Sequence, residues 1–297
     1  MPIGRKFMGN DFETATGVVR YTFLNDYMFK KILQENKPVL KALLCALLHK
    51  QKDEITDVEV LNPITEGTTV ESKEFVLDLK LSLSDNSVVN IEMQVIDYHD
   101  WPERSLQYLC RTFDGLQKGE DYSTSKPATH IAFLDFTLFS ENEEFYATYK
   151  LLNEKTGHLY TDKFVMRYVD MTKIHLATDE DKSYSIDKWV ELFKAKTWED
   201  LRMIASQSEE MNIAATNLFI ANADQQEIWR AQAREDYELH ERQREFMLAK
   251  LNREVAEEKQ EKENERQARI EAEKQVADLL RENELLKKKL HEVESID

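Results

Sequence analysis

The stretch from Glu74 to Val95 constrains this chain more than any other. Phe75, Leu77, Leu79, Leu81 and Leu83 fall on every second position, and so do Val89, Ile91, Met93 and Val95. Strict alternation over two such runs predicts two β-strands, each burying one face. Asp85-Asn86 between them carries turn chemistry. Both apolar sets are odd-numbered, and directly opposed residues of antiparallel strands point to the same side of a sheet. The register must therefore set odd residues opposite odd ones, and closing the turn by pairing Leu83 with Ser87 also pairs Leu81 with Val89, Leu79 with Ile91 and Leu77 with Met93. A slip of one residue would turn the apolar set outward. The same register sets Asp78 opposite Glu92, with Gln94 on the same side. Two facing carboxylates on a sheet are hard oxygen ligands suited to Mg²⁺ or Mn²⁺. The same residue types also furnish the solvated face of an ordinary hairpin, and spacing alone does not separate the two readings.

Asp78, the hairpin and then Ile91-Glu92-Met93-Gln94 resemble the PD-(D/E)xK nuclease superfamily, in which an Asp on one strand precedes a Glu-x-Lys on the next. Asn90-Ile91-Glu92-Met93-Gln94 has Asn25-Asp26-Tyr27-Met28-Phe29-Lys30 upstream and Arg104-x-x-x-Tyr108 downstream. In that wording the chain resembles one branch, the bacterial recombination-promoting nuclease and transposase group, from about Tyr21 to Trp229. Gln94 stands where the superfamily pattern has Lys.

The resemblance implies an α/β fold, a mixed sheet flanked by helices. It also implies a metal-dependent DNA endonuclease linked to recombination or transposition. Asp78 and Glu92 would hold Mg²⁺ (or Mn²⁺), and Gln94 would orient water or phosphate. Arg104 and Tyr108 would touch the scissile phosphate. Asp26, on the first helix, matches a secondary acid, although a plain N-cap accounts for it as well. The competing reading is a catalytically weak or inactive nuclease fold serving as a dimeric DNA- or protein-binding scaffold. The missing Lys and a net charge of −17 support it, because nucleases usually show a basic footprint.

The remaining patterns fill in the architecture. A helix starts at Asn25 or Asp26 with Phe29, Ile32 and Leu33 inward, and Pro38 opens a second apolar helix. Ile55 to Leu61 reads as a strand, Pro102 opens a helix over about Glu103 to Gln117, and strands follow near Ile131 to Leu138 and Phe164 to Met171. Leu106, Leu109, Cys110, Phe113 and Leu116 form the apolar stripe expected to be buried on the Pro102 helix. Arg104, Tyr108 and Arg111 share another face. His130 precedes a buried strand and reads as structural, whereas His99 is a weaker site candidate.

Three amphipathic helices follow Asp181. From about Gln225 the chain has neither Gly nor Pro and reads as one long charged helix. Val276, Asn283 and Leu290 fit heptad position a, and Leu279, Leu286 and Val293 fit d, a pattern that favours a parallel two-stranded coiled coil. The expected divisions are a nuclease-like core over 1–175, a helical cap over 176–224 and the long helix over 225–297. Cys45 and Cys110 sit in apolar helical patterns and read as buried thiols. With no apolar run near ~20 residues and no signal-peptide pattern, a cytoplasmic protein without a membrane anchor is expected.

Overall fold

The computed structural model describes residues 12–61, 79–114, 116 and 119–294. Phe75, Leu77 and Asp78 lie outside the described residues. In chain order the elements are α1 (Asp26–Glu35), α2 (Lys37–Leu48), β1 (Val58–Val60), β2 (Leu79–Leu83), β3 (Val88–Gln94), α3 (Trp101–Phe113) and β4 (Ala128–Leu134). They continue with β5 (Tyr146–Lys150), β6 (Phe164–Asp170), α4 (Asp179–Ser183), α5 (Ile186–Lys194), α6 (Trp198–Ala205), α7 (Glu209–Ala223) and α8 (Gln225–Glu294).

The hairpin has the register that the alternation demands. Leu79 pairs with Ile91, Lys80 with Asn90 and Leu81 with Val89, antiparallel. Leu83 N–H donates to the Ser87 carbonyl at 2.9 Å. Asn86 takes the left-handed conformation, and the Asp85 carboxylate accepts from Ser87 N–H at 3.0 Å, closing the turn. From this hairpin grows a mixed six-strand sheet of order β1-β2-β3-β4-β6-β5, in which β3, β4 and β6 are parallel.

The sequence pattern left one strand unread. β5 runs Tyr-Ala-Thr-Tyr-Lys, with no aliphatic side chain larger than Ala and no apolar/polar alternation. It pairs antiparallel with β6 at the sheet edge.

One face of the sheet carries the odd-numbered apolar residues of β2, β3 and β4 into the main core. Helices α1, α2, α5 and α7 supply the other half of that core. Its centre is aromatic. The Phe193 ring lies 5.1 Å from Phe133, 5.4 Å from Phe29 and 5.3 Å from Phe23, at the tilted and edge-on angles that aromatic pairs favour.

Helix α3 covers the opposite face and departs from the expected stripe. Its buried residues are Trp101, Ser105, Leu109 and Thr112, while Leu106 and Cys110 point to solvent. Small residues face the sheet here and return their hydroxyls to the helix backbone, Ser105 to Pro102 at 3.1 Å and Thr112 to Tyr108 at 2.8 Å. The helix also ends at Phe113, short of Gln117. Cys110 is therefore an exposed thiol, and only Cys45 is buried.

The chain divides after Glu235 into two units, 1–235 and 236–297. The second consists of the greater part of α8. Val276, Leu279 and Asn283 are exposed on it, and the side chains of Leu286, Leu290 and Val293 lie outside the described residues. Among the described residues, no helix is long and apolar enough to cross a membrane.

Replacing Phe193 by Ala should cost about 3–5 kcal/mol, the range for deleting a fully buried aromatic. Urea unfolding followed by tryptophan fluorescence measures this, and a loss under about 1 kcal/mol would contradict an aromatic centre to the core.

Candidate functional site

Every residue of β3 is buried, so both of its faces are covered. The odd face is apolar. The even face presents Asn90, Glu92 and Gln94, and the parallel register with β4 sets His130, Ala132 and Leu134 beside them. A polar strip is thus enclosed between the sheet and α3, where a hairpin alone would have left it in water.

Arg104, in the first turn of α3, answers the buried carboxylate. Its Nη2 donates to Glu92 Oε1 at 3.2 Å, and its Nε donates to Tyr108 Oη at 3.1 Å. The guanidinium also lies over the rings of Tyr98 (6.0 Å), Trp101 (5.8 Å) and Tyr108 (5.5 Å), each within cation–π range. Burial opposes the Arg104 charge, but Glu92 and Tyr108 outweigh it and raise its pKa. The i, i+4 spacing read from the sequence therefore brings Arg104 and Tyr108 together beside Glu92. Arg111, the third residue of that face, is exposed.

His130 is fully buried. Asn90 Nδ2, which can only donate, lies 3.1 Å from its Nδ1, so Nδ1 accepts and the ring proton sits on Nε2. The ring is flanked by Trp101 at 6.0 Å and Tyr108 at 5.8 Å. Burial, with a smaller contribution from the Arg104 charge, pulls its pKa down to about 3 and keeps the ring neutral at pH 7. His99 is exposed and pairs with Asp97 at 3.0 Å. Gln94 donates Nε2 to the Ile96 carbonyl at 2.7 Å, which leaves its oxygen as the group it can offer a cation or water.

The N-terminal motif is engaged by α8. Asn25 is the N-cap of α1, accepting from Met28 N–H at 3.2 Å, and its Nδ2 donates to the Ala231 carbonyl at 3.2 Å. Tyr27 donates to Glu227 at 2.6 Å, and Asp26 accepts from Arg234 at 2.6 and 3.0 Å. Three consecutive residues thus bind the first turns of α8, and the Asp26 carboxylate is engaged by Arg234.

Among the described residues no three His, Cys, Asp or Glu side chains converge to hold a metal ion. The donors present on β3, a carboxylate and an amide oxygen, are of the hard class that Mg²⁺ and Mn²⁺ take. Asp78, the second carboxylate of the expected set, lies outside the described residues.

A family model of the PD-(D/E)XK nuclease family transposases matches residues 23–245. The chain belongs to this family. No curated protein and no solved structure matches the chain. In this family member the sequence reading missed Tyr98 and Trp101 as the aromatic cage of Arg104, and Asn90 as the residue that sets the His130 tautomer. The Trp101-Pro102 helix start was the available signal.

The depressed His130 pKa has a pH consequence. The unfolded chain binds a proton near the ordinary value of 6.5 and the folded chain only near 3, so this stability is present above about pH 6.5 and is lost as pH falls toward 3. His130→Asn keeps an acceptor for Asn90 and removes the titration. Between pH 6 and pH 4 the unfolding free energy of the wild type should fall more steeply than that of the variant, by up to about 1.4 kcal/mol per pH unit. Parallel slopes would refute the assignment.

Proposed function

We propose that this nuclease-family chain hydrolyses DNA phosphodiester bonds with a divalent metal ion, in the service of recombination or transposition. The observation that supports this most is Glu92, a carboxylate buried in a polar strip and met by a caged arginine. Burying a carboxylate is costly and is seldom done for solubility or surface charge. On the register expected from the sequence Asp78 would partner Glu92, and these two with the Gln94 oxygen would hold Mg²⁺ or Mn²⁺.

When bound, the ion supplies Lewis acidity to the phosphodiester. Gln94 orients water or phosphate and does not take the proton, because an amide is no useful base at neutral pH. Arg104, held by Tyr108, offers N–H donors to a phosphate oxygen that competes with Glu92 for the guanidinium. Asp26 ranks last, since service as a secondary acid would require it to exchange Arg234 for the cation.

A non-cleaving dimeric scaffold that binds DNA or protein is the second reading, and the Glu92–Arg104 pair favours it by satisfying the carboxylate without a cation.

Plasmid cleavage in Mg²⁺, Mn²⁺ and EDTA separates the two. Glu92→Gln and Asp78→Asn should abolish metal-dependent cleavage and leave the melting temperature within a few degrees, since the amide of Gln at 92 still accepts from Arg104. Equal cleavage by wild type and variants would refute the assignment and point to a contaminating nuclease. No metal-dependent cleavage by the wild type would favour the scaffold.

We also propose a homodimer through the heptads from Val276 to Val293. About two and a half heptads are marginal for a free coiled coil, so the dimer should depend on concentration. Asn283→Leu should tighten association and admit higher oligomers. Truncation after Glu235 should yield a monomer that retains cleavage. Sedimentation of the full chain as a monomer at tens of micromolar would count against the zipper.

A further inference from the structure

A cavity of about 250 Å³ opens between α3 and the far half of the sheet, beyond the polar strip. It is smaller than the ~300–1,000 Å³ of drug-sized sites and suits one flat ring system. Its walls are aromatic. Tyr149 and Tyr168 stand stacked 5.8 Å apart at 24°, Phe139 lies 6.4 Å from Tyr168, and Trp101, Leu138 and His130 are among the other lining residues. Tyr149 on β5 and Leu106 on α3, both exposed, form an open rim.

Ser105, Arg167 and His130 add polar groups to this lining, and Arg167 Nε is, like His130 Nε2, buried without a hydrogen-bond partner among the described residues. His130 Nε2, which carries the ring proton because Nδ1 accepts from Asn90, has no hydrogen-bond partner among the described residues. A buried donor without an acceptor is costly in a native protein. The cavity also shares a wall with the candidate cleavage site. The Trp101 ring that lines it lies 5.8 Å from the Arg104 guanidinium, which donates to Glu92.

We propose that this cavity receives one unstacked nucleobase of the DNA, held by the aromatic walls and by a hydrogen bond from His130 Nε2–H. Base faces stack on aromatic side chains whatever the sequence. Every base edge carries nitrogen or carbonyl acceptors, so one N–H donor discriminates little among them. An unpaired or mismatched base costs least to extrude, so the preferred substrate is DNA with a bulge, mismatch or single-stranded stretch. This rests on the nuclease reading, and the experiment separates the two.

Dissociation constants are measured with the full-length protein, in Ca²⁺ and in EDTA, for a short duplex in three forms. One is fully paired, one carries a single bulged base and one carries the same bulge with an abasic residue. The wild type should bind the bulged base about 5-fold or more tighter than the abasic bulge, the equivalent of one base–aromatic stack. Leu138→Trp fills the cavity and Tyr149→Ala removes an exposed part of its wall. Both should erase that preference and keep the affinity for paired duplex. Thermal denaturation checks their fold, and the rim position of Tyr149 keeps the test valid if Leu138→Trp misfolds. Equal wild-type affinity for the bulged and abasic forms would overturn the cavity proposal alone, as would a preference surviving in the folded variants. Failure to bind any duplex would overturn the nuclease reading with it.

Discussion

The interaction on which this architecture turns is the pairing of Glu92 with Arg104. A carboxylate in the sheet interior costs several kcal/mol unless it is paired and hydrogen-bonded, and that requirement determines where α3 must lie. The helix starts at Trp101-Pro102, delivers Arg104 from its first turn, and approaches closely because Ser105 and Thr112 are small. The rings of Tyr98, Trp101 and Tyr108 enclose the guanidinium, which is thereby desolvated enough for its pairing to matter. The arginine retains some contact with solvent, so removing one partner should cost less than the ~3–5 kcal/mol of a wholly buried pair. That partial exposure also lets an external anion reach Arg104.

The hairpin was legible from sequence because period-two alternation on both strands excludes every odd slip and the Asp85-Asn86 turn selects among the even registers. The helices were legible wherever the apolar stripe meets an apolar surface, as in α1, α2 and α5. Where the surface beneath a helix is polar, the apolar stripe no longer marks its inner side. Helix α3 rests on a polar strip, so its inner side is Trp101, Ser105, Leu109 and Thr112, and the greasier stripe through Leu106 and Cys110 faces out. β5 escaped notice because an edge strand of aromatic and small residues lacks aliphatic alternation. Within the site, local spacing joined Arg104 to Tyr108, but no local signal reveals that Glu92 meets Arg104 or that His130 meets Asn90, since both contacts depend on strand order.

Asn25-Asp26-Tyr27 illustrates how a motif can be read correctly and its setting missed. Asn25 was legible as an N-cap, and it is one. Its second amide contact, and those of Asp26 and Tyr27, lie 200 or more residues away on α8. Such separations are invisible to periodicity, yet they explain why two polar residues and a tyrosine stand together at the start of this amphipathic helix.

Those same long separations bear on how the chain is made. The N-terminal segment is joined to the far end of the globular unit at several points. Gly17 bonds Glu199, Val19 bonds Lys196, Tyr21 bonds Asn222 and Asp26 bonds Arg234. On a ribosome, the residues that emerge first must therefore wait for partners made some 200 residues later. At about 5–20 residues per second that delay is roughly 10–40 s. During it, the apolar faces of α1 and α2 have no α5 or α7 to pack against, and they are natural clients for a chaperone. The full set of these contacts is available only once Arg234 has left the exit tunnel.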